Sequence, residues 1–308
     1  MGAKSIISYG FLVLPIAVTL GVLLGLQAFR ESRGLPRPFV NNGIKTTTYC
    51  QIAFGITPDT NGEQYTLNPN QWGITDDYTD GGALCMNVTS FNNATYPTNT
   101  TAPEWSITWQ FPQGPDTQPV HAFPNIKLDA EKVFPIQIED VDRIDFEARW
   151  AYGVGDDKPD STNAAALTDI NLNSNVAIDM FLDSDPKNAT DTNAAKYEVM
   201  IWLAAFGAAT QPIGLAKGAV ATQDINGTTF SLYYGQNSLE QSVLTWVASG
   251  TVQDFYADVG PLLQGLTGLG GPTVNDYLGY MAFGSEALYV ESNVTFYNSH
   301  LSMEVVPK

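Results

Sequence analysis

From residue 46 onward the chain is a succession of short runs rich in Thr, Tyr, Val, Ile and Trp, each closed by Gly, Asn, Asp or Pro. β-Branched and aromatic side chains suit a pleated, half-buried surface, and the closing residues supply turn geometry, so this punctuation predicts many short antiparallel strands. Candidate strands cover 46–54, 65–67, 83–90, 106–111, 143–152, 175–182, 197–203, 228–234, 242–248, 279–283 and 287–297. One helix is predicted: Asp258 can cap it, Pro261 falls in its first turn where a missing N–H costs little, and Leu262, Leu263 and Leu266 supply a core face before Gly268. Many strands and one helix bury their apolar faces by stacking sheets. Residues 46–308 are therefore expected to form one all-β domain, a two-layer sandwich or jelly roll.

Residues 1–29 stand outside that pattern. Ile6 to Phe29 is almost wholly apolar, with Lys4 before it and Arg30, Arg33 and Arg37 after it. At about 1.5 Å per residue the run is long enough to span a bilayer, so it is either a retained signal anchor or a cleaved signal peptide. Cleavage after Ala28 would leave Leu26 three positions back, where a small side chain is wanted. The basic flank argues for a cytoplasmic side at residues 30–45, a short linker rich in Arg and Pro. The remainder argues for export. Asn87, Asn93, Asn99, Asn188, Asn226 and Asn293 each open an Asn-x-Ser/Thr sequon, which reads as glycosylated loops at the cell surface or in the medium. The two cysteines, Cys50 and Cys85, fit one disulfide of an oxidising compartment, with two buried thiols as the alternative.

Net charge bounds the partners. The whole chain carries −18, and without the N-terminal flank 10 basic residues face 31 acidic ones. Such a surface repels nucleic acid, favours solubility and suits a neutral or basic ligand. His121 and His300 stand apart from any ligand-like spacing, and there is no nucleophile elbow, phosphate loop or HExxH motif. No metal and no cofactor are called for. Asp183 with Asp185, and Asp76, Asp77 and Asp80, read as solvated turns.

Carboxylates remain as the reactive groups. In Tyr197-Glu-Val-Met-Ile-Trp-Leu203, period two puts Tyr197, Val199, Ile201 and Leu203 on one face and Glu198, Met200 and Trp202 on the other. An acid beside a flat aromatic and a soft thioether suits a groove that grips and cleaves sugars. Asp179 and Asn175 likewise oppose Val176, Ile178 and Met180. Glu286 shares parity with Gly284, and a strand Gly can mark close approach of a ligand. Trp105, Ile107, Trp109 and Phe111 share a face that reads as core.

Asn70-Gln-Trp-Gly73, Asn175-Val-Ala-Ile-Asp-Met-Phe181, Tyr197-Glu-Val-Met-Ile-Trp-Leu203, Pro212-Ile-Gly214, Leu232-Tyr-Tyr-Gly235 and Phe283-Gly-Ser-Glu286 occur in that order. Together they resemble glycoside hydrolase family 12 across most of 50–302. The resemblance implies a concanavalin-like β-jelly roll: two curved antiparallel sheets, one short helix, and an open concave cleft for a β-glucan. It also implies endo-acting hydrolysis of β-1,4-glucosidic bonds with retained configuration; separately, a monomer is expected. On it, Glu198 is the nucleophile, Glu286 the acid/base, and Asp179 the acid that hydrogen-bonds the nucleophile. Retention places the two glutamate carboxyls about 5 to 5.5 Å apart. Asn70 and Trp72 match a sugar platform, Met200 and Trp202 line the cleft, and Cys50 and Cys85 match the family disulfide.

The chain departs from the family at Lys196, where Asp is common, and at Ala287-Leu288, where Pro-Phe is common. The second change removes a stacking surface beside Glu286. The acidic stretch 156–168 and the N-terminal apolar run also lie outside the family pattern. Two alternatives accompany the glucanase expectation: strict preference for xyloglucan, and a carbohydrate-binding surface protein without chemistry.

Overall fold

A computed structural model describes residues 3–33, 43–50, 55–71, 82–91, 96–115 and 118–308. The chain divides into two units, Met1–Ile44 and Lys45–Lys308. In the first, helix α1 (Ala3–Ser32) contains Pro15 and carries Arg30 in its last turn, so it runs three residues past the expected boundary at 29. From Leu14 to Ser32 it is long and apolar enough to cross a membrane, with a mean hydropathy of 1.3.

The second unit is a sandwich of two sheets. One has the order β1 (Ile44–Cys50), β3 (Ala83–Phe91), β4 (Glu104–Gln110), β16 (Val294–Pro307), β7 (Val141–Val154), β13 (Asp254–Asp258). The other has the order β10 (Ala221–Ile225), β11 (Thr228–Gln236), β12 (Ser242–Ala248), β9 (Tyr197–Phe206), β8 (Asn173–Asp183), β14 (Tyr277–Gly284), β5 (Asn125–Leu128), β2 (Tyr65–Asn68). β15 (Ala287–Tyr289) pairs with β8, and β6 (Ile136–Gln137) with β14.

Alternation decides which face turns inward. Ile107 and Trp109 of β4, Phe146 and Tyr152 of β7 and Phe296 of β16 meet Val176, Ile178 and Met180 of β8 and Val199 and Ile201 of β9 in one core, as the period predicts. Each such aliphatic or aromatic side chain contributes roughly 1.5–3 kcal/mol when removed from water. Trp105 and Phe111 are core as well. Cys50 and Cys85 form a disulfide between β1 and β3.

Four expectations are corrected. The run 287–297 is two strands, because the chain leaves the second sheet after Tyr289 and enters the first at Val294. The sheets are not wholly antiparallel: β12 lies parallel to β9, since two successive hairpins return the chain beside β9 in its own direction. The predicted helix is α4 (Gly260–Gln264), with Pro261 in its first turn, but its cap residue is Val259; Asp258 ends β13 and accepts from Gly260 N and Ile144 N. It is also not alone, for α2 (Ala164–Asp169) and α3 (Pro186–Ala189) have side-chain caps from Asn163 and Asp185. Residues 51–54 of the first predicted strand, the acidic run at 76–80, Trp72 and Asn93 lie outside the described residues.

Candidate active site

The second sheet carries a cleft on its outer face, with a volume of about 990 Å³. Alternation along neighbouring strands builds it. Glu198 and Met200 of β9, Asp179 and Phe181 of β8, Tyr280 of β14, Asn125 of β5 and Asn68 of β2 all line it, because the residues next to them in each strand face the core. Glu286 joins them just after β14, on the bend before β15.

Register sets the spacing. Glu198 lies opposite Phe181, while Asp179 lies opposite Met200 on one side and Ala282 on the other, one pleat along. Asp179 is therefore diagonal to Glu198, and no hydrogen bond joins them among the described residues; its Oδ1 is buried without a partner. The expected Asp179 contact is electrostatic instead. Burial first, then the charges of Glu198 and Glu286, raise its proton affinity well above that of an ordinary Asp.

Each glutamate is gripped by an asparagine. Asn237 Nδ2 donates to Glu198 Oε2 at 3.1 Å, and its orientation is fixed because its Oδ1 accepts from Leu239 N and Gln241 N. Gln241 braces the same amide at 2.8 Å. Asn175 Oδ1 accepts from Glu286 N at 3.0 Å, which leaves its Nδ2 to donate to Glu286 Oε2. Burial pushes Glu198 up to about 7 despite the Asn237 donor. Burial, and secondly the charge of Glu198, push Glu286 up to about 7 despite Asn175. Burial is the larger cause for both, and the charge on Glu198 adds to it at Glu286, so ionising the first favours the proton on the second.

The other predicted site residues divide. Asn70 lines the cleft in a left-handed backbone conformation, φ 43°. Met200 and Trp202 line it too, but as wall: they are 6% and 3% exposed, packed with Ala177 and Val243, and Trp202 Nε1 points at Met200 Sδ at 3.3 Å. Gly284 does not admit a ligand. A Cβ there would stand 2.3 Å from the carbonyl oxygen of Pro124, so the close approach is made by the chain itself. Leu288, in the place of a family aromatic, lines the cleft almost fully buried.

Asn237 was not expected from the sequence, where Gln236-Asn-Ser reads as a plain hairpin turn. Asn68 and Asn125 were also missed, although Asn inside a strand is unfavourable and signals a polar task. They bond to each other at 3.1 Å on the cleft floor. Asp185 is exposed and caps α3, as a solvated turn residue would, but Asp183 is not solvated: it is buried at the end of β8, where it accepts from Asp185 N and Lys196 N.

A β-sandwich with a pair of buried-sided glutamates on its grooved sheet defines a glycoside hydrolase of the jelly-roll class. The chain belongs to glycosyl hydrolase family 12, whose model matches residues 63–305. It is 30% identical over 243 residues to a probable xyloglucan-specific endo-β-1,4-glucanase A of Aspergillus flavus, covering 79% of this chain and 86% of that protein. It is 28% identical to the xyloglucan-specific endo-β-1,4-glucanase A of Aspergillus niger, over 72% of this chain and 78% of that protein. Among solved structures, the family 12 endoglucanase 3 of Trichoderma harzianum superimposes with a TM-score of 0.64 at 25% identity, covering 87% of this chain and all of that one.

Proposed function

We propose that the protein is a retaining endo-β-1,4-glucanase that cleaves β-glucan chains by double displacement. The observation that carries this reading is the pair Glu198 and Glu286, facing one open cleft, coupled in charge, and each held by a fixed amide donor. Glu198, ionised, attacks the anomeric carbon, while Glu286 protonates the departing oxygen and then draws a proton from water to release the sugar. Asp179, whose proton affinity is raised by burial and by the two glutamates, need not add a second negative charge beside the ionised nucleophile. Asn70 and Trp72 form the platform for the sugar on the non-reducing side, and Met200 and Trp202 shape the wall beside the nucleophile.

The test is reducing-sugar release by fragment 40–308 from carboxymethylcellulose, mixed-linkage glucan and xyloglucan, with Glu198→Gln as control. Cleavage that vanishes in the variant supports the reading. Turnover undiminished by Glu198→Gln overturns it, and binding of oligosaccharides without cleavage would make the protein a carbohydrate-binding module. Xyloglucan is the favoured substrate within this class. The relatives' names support it, and so does a buried Leu288 in place of a projecting aromatic, which leaves room for branches. Faster release from xyloglucan than from unbranched glucan is the expected result.

For location, the reading is an exported enzyme tethered or led by α1. An apolar helix of this length suits a membrane, and Asn99, Asn226 and Asn293 are exposed for glycan attachment. Resistance of the membrane pellet to carbonate extraction, with glycosidase-sensitive mass, is expected of the anchored form. A mature chain starting near Phe29 in the medium would show cleavage instead.

A further inference from the structure

Beneath Glu286 a polar column crosses the otherwise apolar core from one sheet to the other. Trp109 of β4, Tyr152 of β7, Ser174 of β8 and Ser285 are all essentially inaccessible to solvent. Trp109 Nε1 donates to the Tyr152 hydroxyl at 2.7 Å. That hydroxyl lies 3.2 Å from Ser174 Oγ and 3.1 Å from Ser285 Oγ, and the two serine oxygens are 2.9 Å apart. Ser174 Oγ donates to the carbonyl of Glu286 at 2.6 Å, and Ser285 Oγ donates to the carbonyl of Asn175 at 2.6 Å.

Counting protons gives the column a direction. Each serine has one O–H, and both are committed to carbonyls; neither remains for the contact between the serines. The Tyr152 O–H is the proton that can lie between their oxygens, and the Tyr152 oxygen is the acceptor for Trp109. The donors thus run one way, from Trp109 through Tyr152 into both serines, and end on the backbone of Glu286 and of Asn175, the residue that grips the Glu286 carboxylate. A buried network in which every polar atom has its partner rigidifies the groups it touches and fixes one arrangement of them.

We propose that Tyr152 is a positioning residue for the acid/base Glu286, acting through Ser174 and Ser285. This rests on the reading of Glu286 as the proton donor. Without the Tyr152 hydroxyl, two serine oxygens are left in contact with no proton between them. One serine must then rotate to donate to the other, and its hold on Glu286 or Asn175 is lost.

The experiment is Tyr152→Phe in the full chain, with aryl β-cellobiosides whose leaving groups range from dinitrophenol to poorly acidic phenols. A good leaving group departs without protonation; a poor one needs the acid. The variant should lose tenfold or more in kcat/KM on poor leaving groups, within the roughly 10²–10⁴ that a positioned general acid supplies, and less than about threefold on dinitrophenol. The basic limb of its pH profile should also shift. Ser285→Ala, a smaller lesion that keeps the Trp109 acceptor, should show the same selectivity in milder form and serves if Tyr152→Phe does not fold. Equal losses on all leaving groups, or none, in a folded variant would overturn the proposal while leaving the glucanase reading intact. A wild-type chain inactive on every glycoside would overturn both.

Discussion

If Glu198 is kept for chemistry, its charge should cost the fold stability, and Glu198→Gln measures by how much. Burial raises its carboxyl from 4.5 to about 7. That gap, at about 1.4 kcal/mol per pH unit, sets a ceiling of about 3 kcal/mol. Part of Glu198 opens to the cleft, so solvent screening brings the expected figure to about 1–2 kcal/mol. The sign follows from proton uptake. Between about pH 4.5 and about pH 7 the folded chain holds more protons on this group than the unfolded chain, so stability present at low pH is lost as pH rises. Glutamine does not titrate. Removing the charge also relieves Glu286, which works in the same direction. Urea unfolding of fragment 40–308, followed by tryptophan fluorescence, should find wild type and variant equal near about pH 4 and the variant more stable by about 1–2 kcal/mol near about pH 8. A difference independent of pH, or a variant less stable at the alkaline end, would refute the reasoning.

Asn237→Asp exchanges the amide donor to Glu198 for a second carboxylate. Losing a bond to a charged group, worth about 1.5–3 kcal/mol, should move the acidic limb of the kcat/KM profile upward by about one to two pH units; an unmoved limb would show that Asn237 does not tune the nucleophile. Gly284→Ala puts a Cβ against the Pro124 carbonyl and the Asn125 side chain, and a loss of about 1–3 kcal/mol in urea unfolding is expected from overpacking. Opening the Cys50–Cys85 disulfide, which closes a separation of 35 residues, by the double change to Ala should cost about 4 kcal/mol in the chain-entropy picture. Stability equal to wild type under oxidising conditions would count against that account.

The strand pattern was legible wherever alternation was strong. Tyr197 to Leu203 shows why: one face meets the core and the other the cleft, and both roles are written in side-chain type. Short or weakly patterned strands were not legible. Ala221–Ile225 alternates between half-buried and exposed positions on an edge, and Asp254–Asp258 keeps only Phe255 and Ala257 inside. Strand direction is also invisible to period two, which is why the parallel β9–β12 pair was missed. At the site, the acids could be named from their motifs. What holds them could not, because Asn237 and Asn175 reach them across strands separated by 39 and 111 residues in sequence. Tyr152 looks like any core aromatic until its hydroxyl partners are seen.

The placement of β16 bears on the order in which the molecule can be made. It lies in the middle of its sheet, between β4 and β7, and pairs with β7 along nearly its whole length. That sheet cannot close until residues 294–307 have left the ribosome, so β4 and β7 must wait with their central partner missing. The acid-bearing bend at Glu286, synthesised just ahead of β16, would gain its geometry only in the closing step. An enzyme assembled in this order stays inactive until synthesis of the domain is finished.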